Sequence, residues 1–500
     1  MNEDPDVWVP RPVAVCLPGS TEEVQAVVRV CNQHGLRFKA FSTGWGPWAG
    51  PSGEGVVSID LRRMDRILEI DEKNMYAVVE PYICGALLQA EAMKVGLNAH
   101  IIGAGPAYSP LASATSMQGM GWDSVYMSHS SRNVLGVEWV LPDGEVLRLG
   151  APGSGLDWFS GDGPGPSLRG IMRGNNGALG GLGVFTKVAL KLYNWPGPAR
   201  VAAGGTVVDA NSEMPENIDL CICFFPDKDS FTEAAYRVCE NELSYNYVRV
   251  SPGGLLYCLT PHLFGKMAAA RGMRKVLESM NYCLMLALVA SSEGEMEFKE
   301  RTLDAILGEN RGYCIRSRDC KPIGSLLVLN FLRASIIPLV FRMGGVFGAA
   351  LAGDDSMDAQ LSWSESAAEI KRKWISRGGI LDDIIANPFL LPYDDNNICH
   401  CEEIFLYDPR NRSQSEQLSS INADFMLSMV EHCLEPLMSV VPHVRKMLSP
   451  MMGDYNRWQR KISKALDPRG AADDLFYDGE ADFDLSLLGE DIREKLQRLF

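Results

Sequence analysis

The sequence predicts an α+β protein of two or three domains, and three observations favour this class. The chain has 500 residues, of which 46% are hydrophobic and 22% charged, so it is long enough to bury more than one core. Its N-terminal part alternates strand-like and helix-like segments, which are separated by glycine-rich turns. Its middle part sets apolar strands beside amphipathic helices, as in an α+β domain.

Composition excludes several kinds of partner. The formal net charge of −16 argues against nucleic-acid binding by counterion release and against attraction to an anionic membrane surface. The 13 cysteines form no CxxC pair, and the opening MNEDPDVWVP lacks a basic and apolar leader. We therefore expect free thiols in a cytoplasmic protein. The CHC sequence at residues 399–401 lacks the usual metal-ligand spacing, so we expect buried thiols there and no metal.

The longest apolar tract, residues 324–353, does not predict a membrane span. Asn330, Arg333 and Arg342 interrupt it, and a spanning helix would place two guanidinium groups in hydrocarbon. We expect the tract to be buried or to lie at a subunit interface, the latter in a homo-oligomer. Arg333 and Arg342 are candidates for binding an anionic substrate, because a buried guanidinium needs an anion or several carbonyls as partner. An internal Asp or Glu would satisfy it equally well.

The chain begins with a β-α-β unit. Residues 12–17 resemble a strand, and the helix that follows has its N-cap at Ser20 or Thr21. Gly35 ends this helix, and residues 36–40 form the second strand.

The second strand runs into RFKAFSTGWGPWAG, residues 37–50, whose composition suits a backbone wrapped around an anionic ligand. Its glycines allow φ > 0 and a close approach, and Ser42 and Thr43 add hydroxyl donors. Successive N–H groups in such a turn form a positive concavity suited to a diphosphate. An ordinary loop between two strands is the alternative.

Short strands at residues 56–61, 67–70 and 76–79 follow, and a helix at 84–95 ends at Gly96. The next segment, HIIGAGPAYSPLASATSMQGMG at residues 100–121, is rich in small residues and almost free of charge. A solvated loop would carry more polar side chains, so we expect this segment to lie inside the protein. Packing against neighbouring strands, without any ligand, is the alternative.

A hairpin at residues 137–150 has Asp143-Gly144 at its turn, where φ > 0 is needed. A second glycine-rich run, residues 169–183, leads into a strand at 184–193. The middle of the chain supplies strands at residues 220–225 and 282–290, helices at 230–242 and 297–307, and a helical stretch at 336–377.

Four of these pieces, taken in order, resemble the FAD-binding domain of the vanillyl-alcohol oxidase and p-cresol methylhydroxylase (PCMH) flavoprotein family. They are P-x-x-V-x-x-P-x-S-T-E-E-V, the strand into STGWG, the small-residue loop, and VLPDGEVLRLG followed by SLRGIMRGNNGALGGLGVFTKVALKLY. KISKALDPRGAADDLFY, residues 461–477, resembles the segment with which such chains return to the flavin domain. The resemblance implies a two-subdomain PCMH-type FAD-binding domain at residues 1–205, an α+β cap domain at 206–440, and a returning segment at 441–500.

The resemblance also implies which residues hold FAD. The diphosphate would lie on the first glycine turn, and two later loops would supply further contacts. The positions carried over are Ser42, Thr43, Gly44, Trp45, Gly46, Gly105, Pro106, Ser109, Ser113, Ala114, Gly119, Gly121, Gly180, Gly183 and Val184. No GK[ST] motif accompanies them, which fits a cradle of neutral N–H donors.

The sequence departs from the family in how the flavin is attached. Many relatives bond it covalently to a histidine in the first glycine loop, but no histidine lies between His34 and His100. Attachment through that loop is excluded, and we expect non-covalent FAD. His400 or Tyr393 of the cap would be the alternative points of attachment.

A second departure concerns the catalytic groups. Phenol-oxidising relatives have an acidic residue in the small-residue loop, where Tyr108 stands in this chain. We expect His400 to be the proton acceptor, since histidine titrates near neutral pH, with Glu402 beside it on the same strand face. A core histidine next to a surface carboxylate is the alternative. Tyr393 and Tyr108 are possible phenol donors, and His129 is the next candidate base.

The resemblance implies an FAD-dependent oxidoreductase that oxidises an alcohol, hydroxy acid or phenolic-type small molecule by hydride transfer to flavin N5. Electrons would pass to oxygen or to a protein partner, for which we expect an electron-transfer flavoprotein or an iron–sulfur protein. Two alternatives remain: a non-catalytic flavin-binding or partner subunit of a larger redox complex, and a flavoenzyme without net redox change.

Overall fold

The computed structural model describes residues 11–44, 49–103, 105, 107–117, 119–150, 167–173, 177–179, 181–205, 211–249, 272–333, 346–382, 389–435, 453 and 455–474. Within these ranges the elements are arranged around a parallel sheet, an antiparallel sheet and a larger antiparallel sheet contributed by the second half of the chain.

The chain opens on the predicted β-α-β unit, which the structure confirms. It comprises β1 (Ala14–Cys16), α1 (Thr21–His34), β2 (Arg37–Phe41) and β3 (Val56–Asp60), with parallel strands in the order β1-β3-β2. The Ser20 side chain caps α1 by accepting a hydrogen bond from the Glu23 N–H. Gly35, at φ 63°, ends the helix in the left-handed region. These local signals fix the direction in which β2 leaves the helix.

A second sheet follows. The next elements are β4 (Ile67–Asp71), β5 (Tyr76–Val79), α2 (Gly85–Met93), β6 (Leu97–Asn98), α3 (Pro110–Thr115), α4 (Ser124–Met127), β7 (Val134–Val140), β8 (Val146–Leu149), β9 (Val184–Lys191) and β10 (Tyr193–Asn194). Five of the strands form an antiparallel sheet in the order β4-β5-β9-β7-β8, and β10 pairs with β6. Short 3-10 helices at Ser130–Asn133 and Leu168–Met172 complete this N-terminal half.

The cap is built on one large antiparallel sheet. Its elements are β11 (Ile218–Phe225), α5 (Lys228–Glu240), β12 (Asn246–Arg249), α6 (Met273–Ser279), β13 (Tyr282–Val289), α7 (Glu293–Glu309), β14 (Tyr313–Arg316), α8 (Lys321–Arg333), β15 (Val346–Leu351), α9 (Met357–Ser376), β16 (Phe389–Tyr393), β17 (Ile398–Tyr407) and α10 (Arg412–Glu431). Among the described residues, seven strands pair in the order β14-β11-β13-β12-β16-β17-β15. A last helix, α11 (Tyr455–Leu466), follows.

The two faces of the cap sheet bury different partners. Strand residues such as Cys399, Cys401 and Phe405 pack with α5, α7, α9 and α10 in one apolar cluster. On the other face, Leu391 and Tyr393 pack with side chains of the N-terminal half that include Trp122 and Met127. The sheet is therefore covered by α5, α7, α9 and α10 on one side, and by α8 together with the N-terminal half on the other. The prediction that Cys399 and Cys401 are buried thiols is confirmed.

One predicted helix is a strand. Residues 336–377 were expected to be helical, but 346–351 form β15, which pairs antiparallel with β17. The only described helix in this stretch is α9, which begins at Met357. A Cβ on Gly348 would lie 2.5 Å or less from ring atoms of Phe405, so the aromatic ring of the neighbouring strand occupies the space above this glycine. The tertiary pairing, which the small residues of VFGAAL permit, decides the conformation.

The apolar tract contains most of α8, in which Val328 and Phe331 are at most 1% exposed. Within the described ranges, no helix is both long enough and apolar enough to cross a membrane.

The end of the described chain lies beside the first sheet. Phe38 of β2 and Ala472 form a parallel bridge, and Asp473 accepts hydrogen bonds from Arg37 at 2.9 Å and from the Ser52 N–H at 2.8 Å. This contact joins residues far apart in sequence. The exact domain boundaries remain predictions.

Candidate functional site

The first glycine turn lies where a phosphate cradle is expected. Ser42, Thr43 and Gly44 follow β2 at the carboxyl edge of the parallel sheet, which is where ligands bind in such folds. All three are partly exposed, and none of them donates a backbone hydrogen bond to another described residue. Gly44 has φ 73°. These groups fit a neutral N–H cradle for a diphosphate; Trp45 and Gly46, also predicted there, lie outside the described residues.

The second and third predicted loops are joined by hydrogen bonds. Ala178 N–H donates to Thr115 O and Leu179 N–H to Ser116 O, both at 2.9 Å. The strand that follows the third loop begins at Val184, which shares an apolar cluster with Phe38 of β2. The structure thus brings these two loops into contact and places the strand before the first turn in the same core.

Three of the predicted glycines have a packing reason within the protein. A Cβ on Gly119 would lie 2.4 Å from Ile102 Cγ2, one on Gly121 would lie 2.0 Å from Ile101 O, and one on Gly183 would lie 2.3 Å from Val140 O. The family resemblance implied that these three glycines border the cofactor. The chain itself already requires them, so their presence is no independent sign of the cofactor.

The other predicted cofactor residues contribute little side-chain chemistry. Ser109 caps α3 by accepting from Ala112 N–H and donates its hydroxyl to Pro81 O at 2.5 Å. Ser113 donates to Pro110 O at 3.2 Å. Ala114 and Val184 are at most 1% exposed. Gly105 has φ 117°, and Pro106 and Gly180 lie outside the described residues.

Tyr108 is held by a hydrogen bond and by close packing within the protein. Its hydroxyl donates to His100 O at 2.7 Å, and its ring packs so closely on Gly85 that a Cβ there would lie 2.1 Å from it. Burial, together with the nearby Asp123 charge, raises the pKa of Tyr108 well above its usual value. The phenol therefore stays neutral and is occupied within the small-residue loop.

A buried hydrogen bond between two side chains, which the sequence did not predict, closes the same loop. His100 Nδ1 lies 2.6 Å from Asp123 Oδ1, and the other carboxylate oxygen accepts from Ile101 N–H at 2.9 Å. The signal was available: His100 and Asp123 are the polar residues that bracket a stretch without charged side chains. Their pairing closes the loop onto itself.

On the cap, the predicted catalytic residues share one face of the sheet. Leu391 lies opposite His400, and Phe389 opposite Glu402, in the β16–β17 pair. Directly opposed residues point to the same side, so His400, Glu402 and Tyr393 all face the N-terminal half. Alternation along the strand predicted this arrangement for His400 and Glu402.

His400 is held between two carboxylates. Its side chain is fully buried, with Nδ1 3.1 Å from Asp354 Oδ1 and Nε2 3.7 Å from Glu402 Oε2. Burial by itself lowers the pKa of His400, but the hydrogen bond with Asp354 and the charges of Asp354 and Glu402 outweigh it and raise the pKa to about 9. The ring is thus an imidazolium at neutral pH, which does not suit the expected proton acceptor. Asp354 was not identified from the sequence.

His129 of the N-terminal half has the opposite surroundings. It is 5% exposed, and its Nδ1 lies 3.0 Å from the Ser131 hydroxyl. Burial, followed by the positive charge of Arg132, lowers the pKa of His129 to about 4. At neutral pH this imidazole is uncharged.

Both histidines lie near the aromatic ring of Tyr393. The ring centroid of Tyr393 is 5.7 Å from that of His129 and 6.5 Å from that of His400. Tyr393 therefore links a neutral histidine of the N-terminal half to a charged histidine of the cap. We call these residues the ring row.

A polar contact between the two halves lies beside the ring row. Asp394 accepts hydrogen bonds from Arg132 and from the Ser128 hydroxyl. Asp394, Asp395 and Asn396 have φ of 46°, 53° and 76°, a conformation that non-glycine residues rarely adopt. Such strain persists only where surrounding contacts impose it, and here it accompanies the residue that follows Tyr393.

The proposed anion-binding arginines contribute no described contact. Arg333 is the last residue of α8, with a side chain outside the described set, and Arg342 lies outside it entirely. Among the described residues, no group of three or more His, Cys, Asp or Glu side chains is placed to hold a metal ion.

Comparison with known proteins bears on the N-terminal half. Residues 12–150 match the family model described as FAD binding domain. A probable mitochondrial D-lactate dehydrogenase of Danio rerio is 26% identical over 230 residues, which are 46% of this chain and 41% of the relative. The flavoprotein subunit of the hydroxylating 4-cresol dehydrogenase of Pseudomonas putida is 31% identical over 193 residues, 37% of this chain and 36% of the relative. The alignments thus span less than half of either relative.

The fold of the whole chain is also shared. The crystal structure of p-cresol methylhydroxylase with bound substrate matches with a TM-score of 0.70 and 16% identity, over 94% of this chain and 89% of that chain. The predicted α+β fold, a two-subdomain PCMH-type FAD-binding domain with a cap, is confirmed.

Proposed function

Because the chain contains an FAD-binding domain of the type found in p-cresol methylhydroxylase, we propose that it is an FAD-dependent oxidoreductase acting on a small alcohol, hydroxy acid or phenol. The observation that supports this most is the ring row, which sets proton-handling side chains at the junction of the FAD-binding half and the cap. FAD, when bound, supplies the capacity to accept two electrons with a hydride from substrate carbon.

The backbone of residues 42–44 would hold the diphosphate, because its N–H groups are oriented by a positive-φ glycine and are not used by other described residues. Trp45 and Gly46 would extend this cradle. Attachment would be non-covalent: His400 is enclosed by two carboxylates, and His100 is paired with Asp123.

His129 would accept the substrate proton. Its imidazole is neutral at pH 7, and if Nδ1–H donates to the Ser131 hydroxyl, Nε2 is the proton-accepting nitrogen. A base on the N-terminal half replaces the one expected at His400. The low pKa, set first by burial and then by the Arg132 charge, makes His129 a weak base that is uncharged and free to accept a proton at neutral pH.

His400 would act through its charge. Held as an imidazolium by Asp354 and Glu402, it would stabilise negative charge on a substrate oxygen that has lost its proton. Tyr393, between the two histidines, would orient the substrate by its ring and hydroxyl. In this scheme one histidine takes the proton and the other compensates the charge that remains.

The experiment is to purify the protein, record its absorption spectrum and titrate it anaerobically with alcohols, hydroxy acids and phenols. We expect a yellow protein that one substrate class bleaches. A colourless chain, or a yellow one that no substrate reduces, would favour a non-catalytic subunit. Slow reoxidation in air, with fast reoxidation by an electron-transfer flavoprotein or iron–sulfur protein, would identify a dehydrogenase; stoichiometric peroxide would identify an oxidase.

A further inference from the structure

Three cysteine thiols lie close together near one edge of the cap sheet, on strands that do not carry the ring row. Cys221 and Cys223 lie on β11, and Cys314 lies on the edge strand β14. In the antiparallel pairing Cys223 is directly opposite Cys314, and Cys221 is directly opposite Arg316. Residues two apart on a strand share a face, so the three sulfur atoms are on the same side of the sheet.

The three thiols differ in access and in charge. Cys221 and Cys223 are fully buried, whereas Cys314 is partly exposed. The adjacent Cys221 and Cys223 thiols, followed by the Arg316 charge, lower the pKa of Cys314. The proximity of Cys314, with burial, raises the pKa of the other two well above the usual value. The trio thus contains one partly exposed thiol, the most acidic of the three, beside two buried ones.

We propose that Cys314 is a peroxide-reactive thiol and that Cys223 resolves its oxidised form into an intrachain disulfide. Cys314 first releases its proton; the thiolate attacks one oxygen of hydrogen peroxide, an S–O bond forms, the O–O bond breaks, and the hydroxide that leaves takes up that proton as water. The Cys223 sulfur, losing its proton, then attacks the sulfenic sulfur; an S–S bond forms, the S–O bond breaks, and the second oxygen leaves as water. Two thiols are oxidised, and one peroxide is reduced to two molecules of water.

Strand geometry selects Cys223 as the resolving residue. Directly opposed residues of antiparallel strands have Cβ atoms about 4.5–5.5 Å apart, whereas diagonal neighbours are about 7–8 Å apart. A disulfide requires a Cβ separation of about 3.8 Å. The opposed Cys223 reaches that distance with a small local adjustment, and the diagonal Cys221 needs a larger one. The Cys221 thiol instead donates to Asp219 Oδ2 at 3.7 Å.

The test treats the full-length protein with a small excess of hydrogen peroxide, alkylates the remaining thiols, and maps disulfides by peptide mass spectrometry. We expect the loss of two alkylatable thiols and a peptide pair linked through Cys223 and Cys314. Cys314→Ser should abolish the link and slow peroxide consumption about tenfold. Cys433→Ser is the matched control, because Cys433 is exposed. This variant should leave the disulfide link and the rate of peroxide consumption unchanged.

A second variant separates the two steps. In Cys223→Ser, the sulfenic acid on Cys314 should persist and be trapped by dimedone, whereas the unmodified protein should give little adduct. The proposal is overturned if Cys314 remains alkylatable after peroxide treatment, or if its disulfide forms with any residue other than Cys223. Peroxide is added from outside, so the result does not depend on whether the proposed flavin chemistry is correct.

Discussion

The two ends of the ring row show how different surroundings change one side chain. His129 lies in the N-terminal half beside the Arg132 cation, and its pKa is lowered to about 4, chiefly by burial. His400 lies on the cap between Asp354 and Glu402, and its pKa is raised to about 9 although it is more deeply buried. Groups whose environments move their pKa values apart are suited to opposite acid–base roles. The two environments therefore favour the proposed division of labour between the histidines.

The largest effect, on the rate of flavin reduction, is expected when His129 is replaced. His129→Ala should retain FAD yet slow anaerobic flavin reduction about 10²–10⁴-fold, as for a lost general base. Stopped-flow absorbance measures this rate. His34→Ala is the matched control, since His34 is exposed at the end of α1 and should reduce at the normal rate. An unchanged rate in His129→Ala would remove this residue from the mechanism.

The cofactor half can be tested by a pair of glycines. Gly44→Ala should weaken FAD binding about tenfold or more, because φ 73° is unfavourable for alanine and the new Cβ would lie 2.5 Å from the Phe41 ring. Gly35→Ala, at φ 63° with no atom near the new Cβ, should cost stability without changing FAD affinity. Fluorescence titration of each variant apoprotein with FAD measures the two affinities. Equal affinities in the two variants would mean that the first turn does not contact the cofactor.

The opposed pKa shifts predict opposite pH effects on stability. The raised pKa of His400 means that its contribution is present below pH 6.5 and is lost as pH rises through about 9. The lowered pKa of His129 means that stability falls as pH drops from 6.5 through about 4. The free energy of unfolding should change by about 3 kcal/mol across each of these two pH ranges. Urea unfolding across pH would show His400→Gln flattening the alkaline side and His129→Gln flattening the acidic side.

The smallest effect on stability is expected at the contact between the halves. Arg132 and Asp394 are both substantially exposed, so Arg132→Gln should change the free energy of unfolding by about 1 kcal/mol or less. Because the Arg132 charge lowers the pKa of His129, the same variant should raise that pKa. A histidine NMR titration checks the shift. An unaltered pKa would show that burial alone sets the neutral state.

Local signals carried most of what the sequence could predict. The cap of α1 at Ser20, its stop at Gly35, and the alternation that places His400 and Glu402 on one face depend on neighbours within a few residues. The glycine turns were found for the same reason, although three of their glycines serve the packing of the chain itself.

The rest required contacts between distant residues. Strand β15 was missed because VFGAAL has no period of its own and pairs with β17. Asp354, 46 residues from His400, turns the expected base into a cation, and no sequence pattern connects the two. The same holds for His129, whose low pKa comes chiefly from burial and whose ring lies 5.7 Å from that of Tyr393 in the cap.

A titration of the histidine ring signals in the FAD-bound protein, assigned with His129→Gln and His400→Gln, tests the division of labour most directly. We predict one signal titrating near pH 4 for His129 and one near pH 9 for His400. Two signals titrating together near pH 6.5, or in the reverse order, would contradict it.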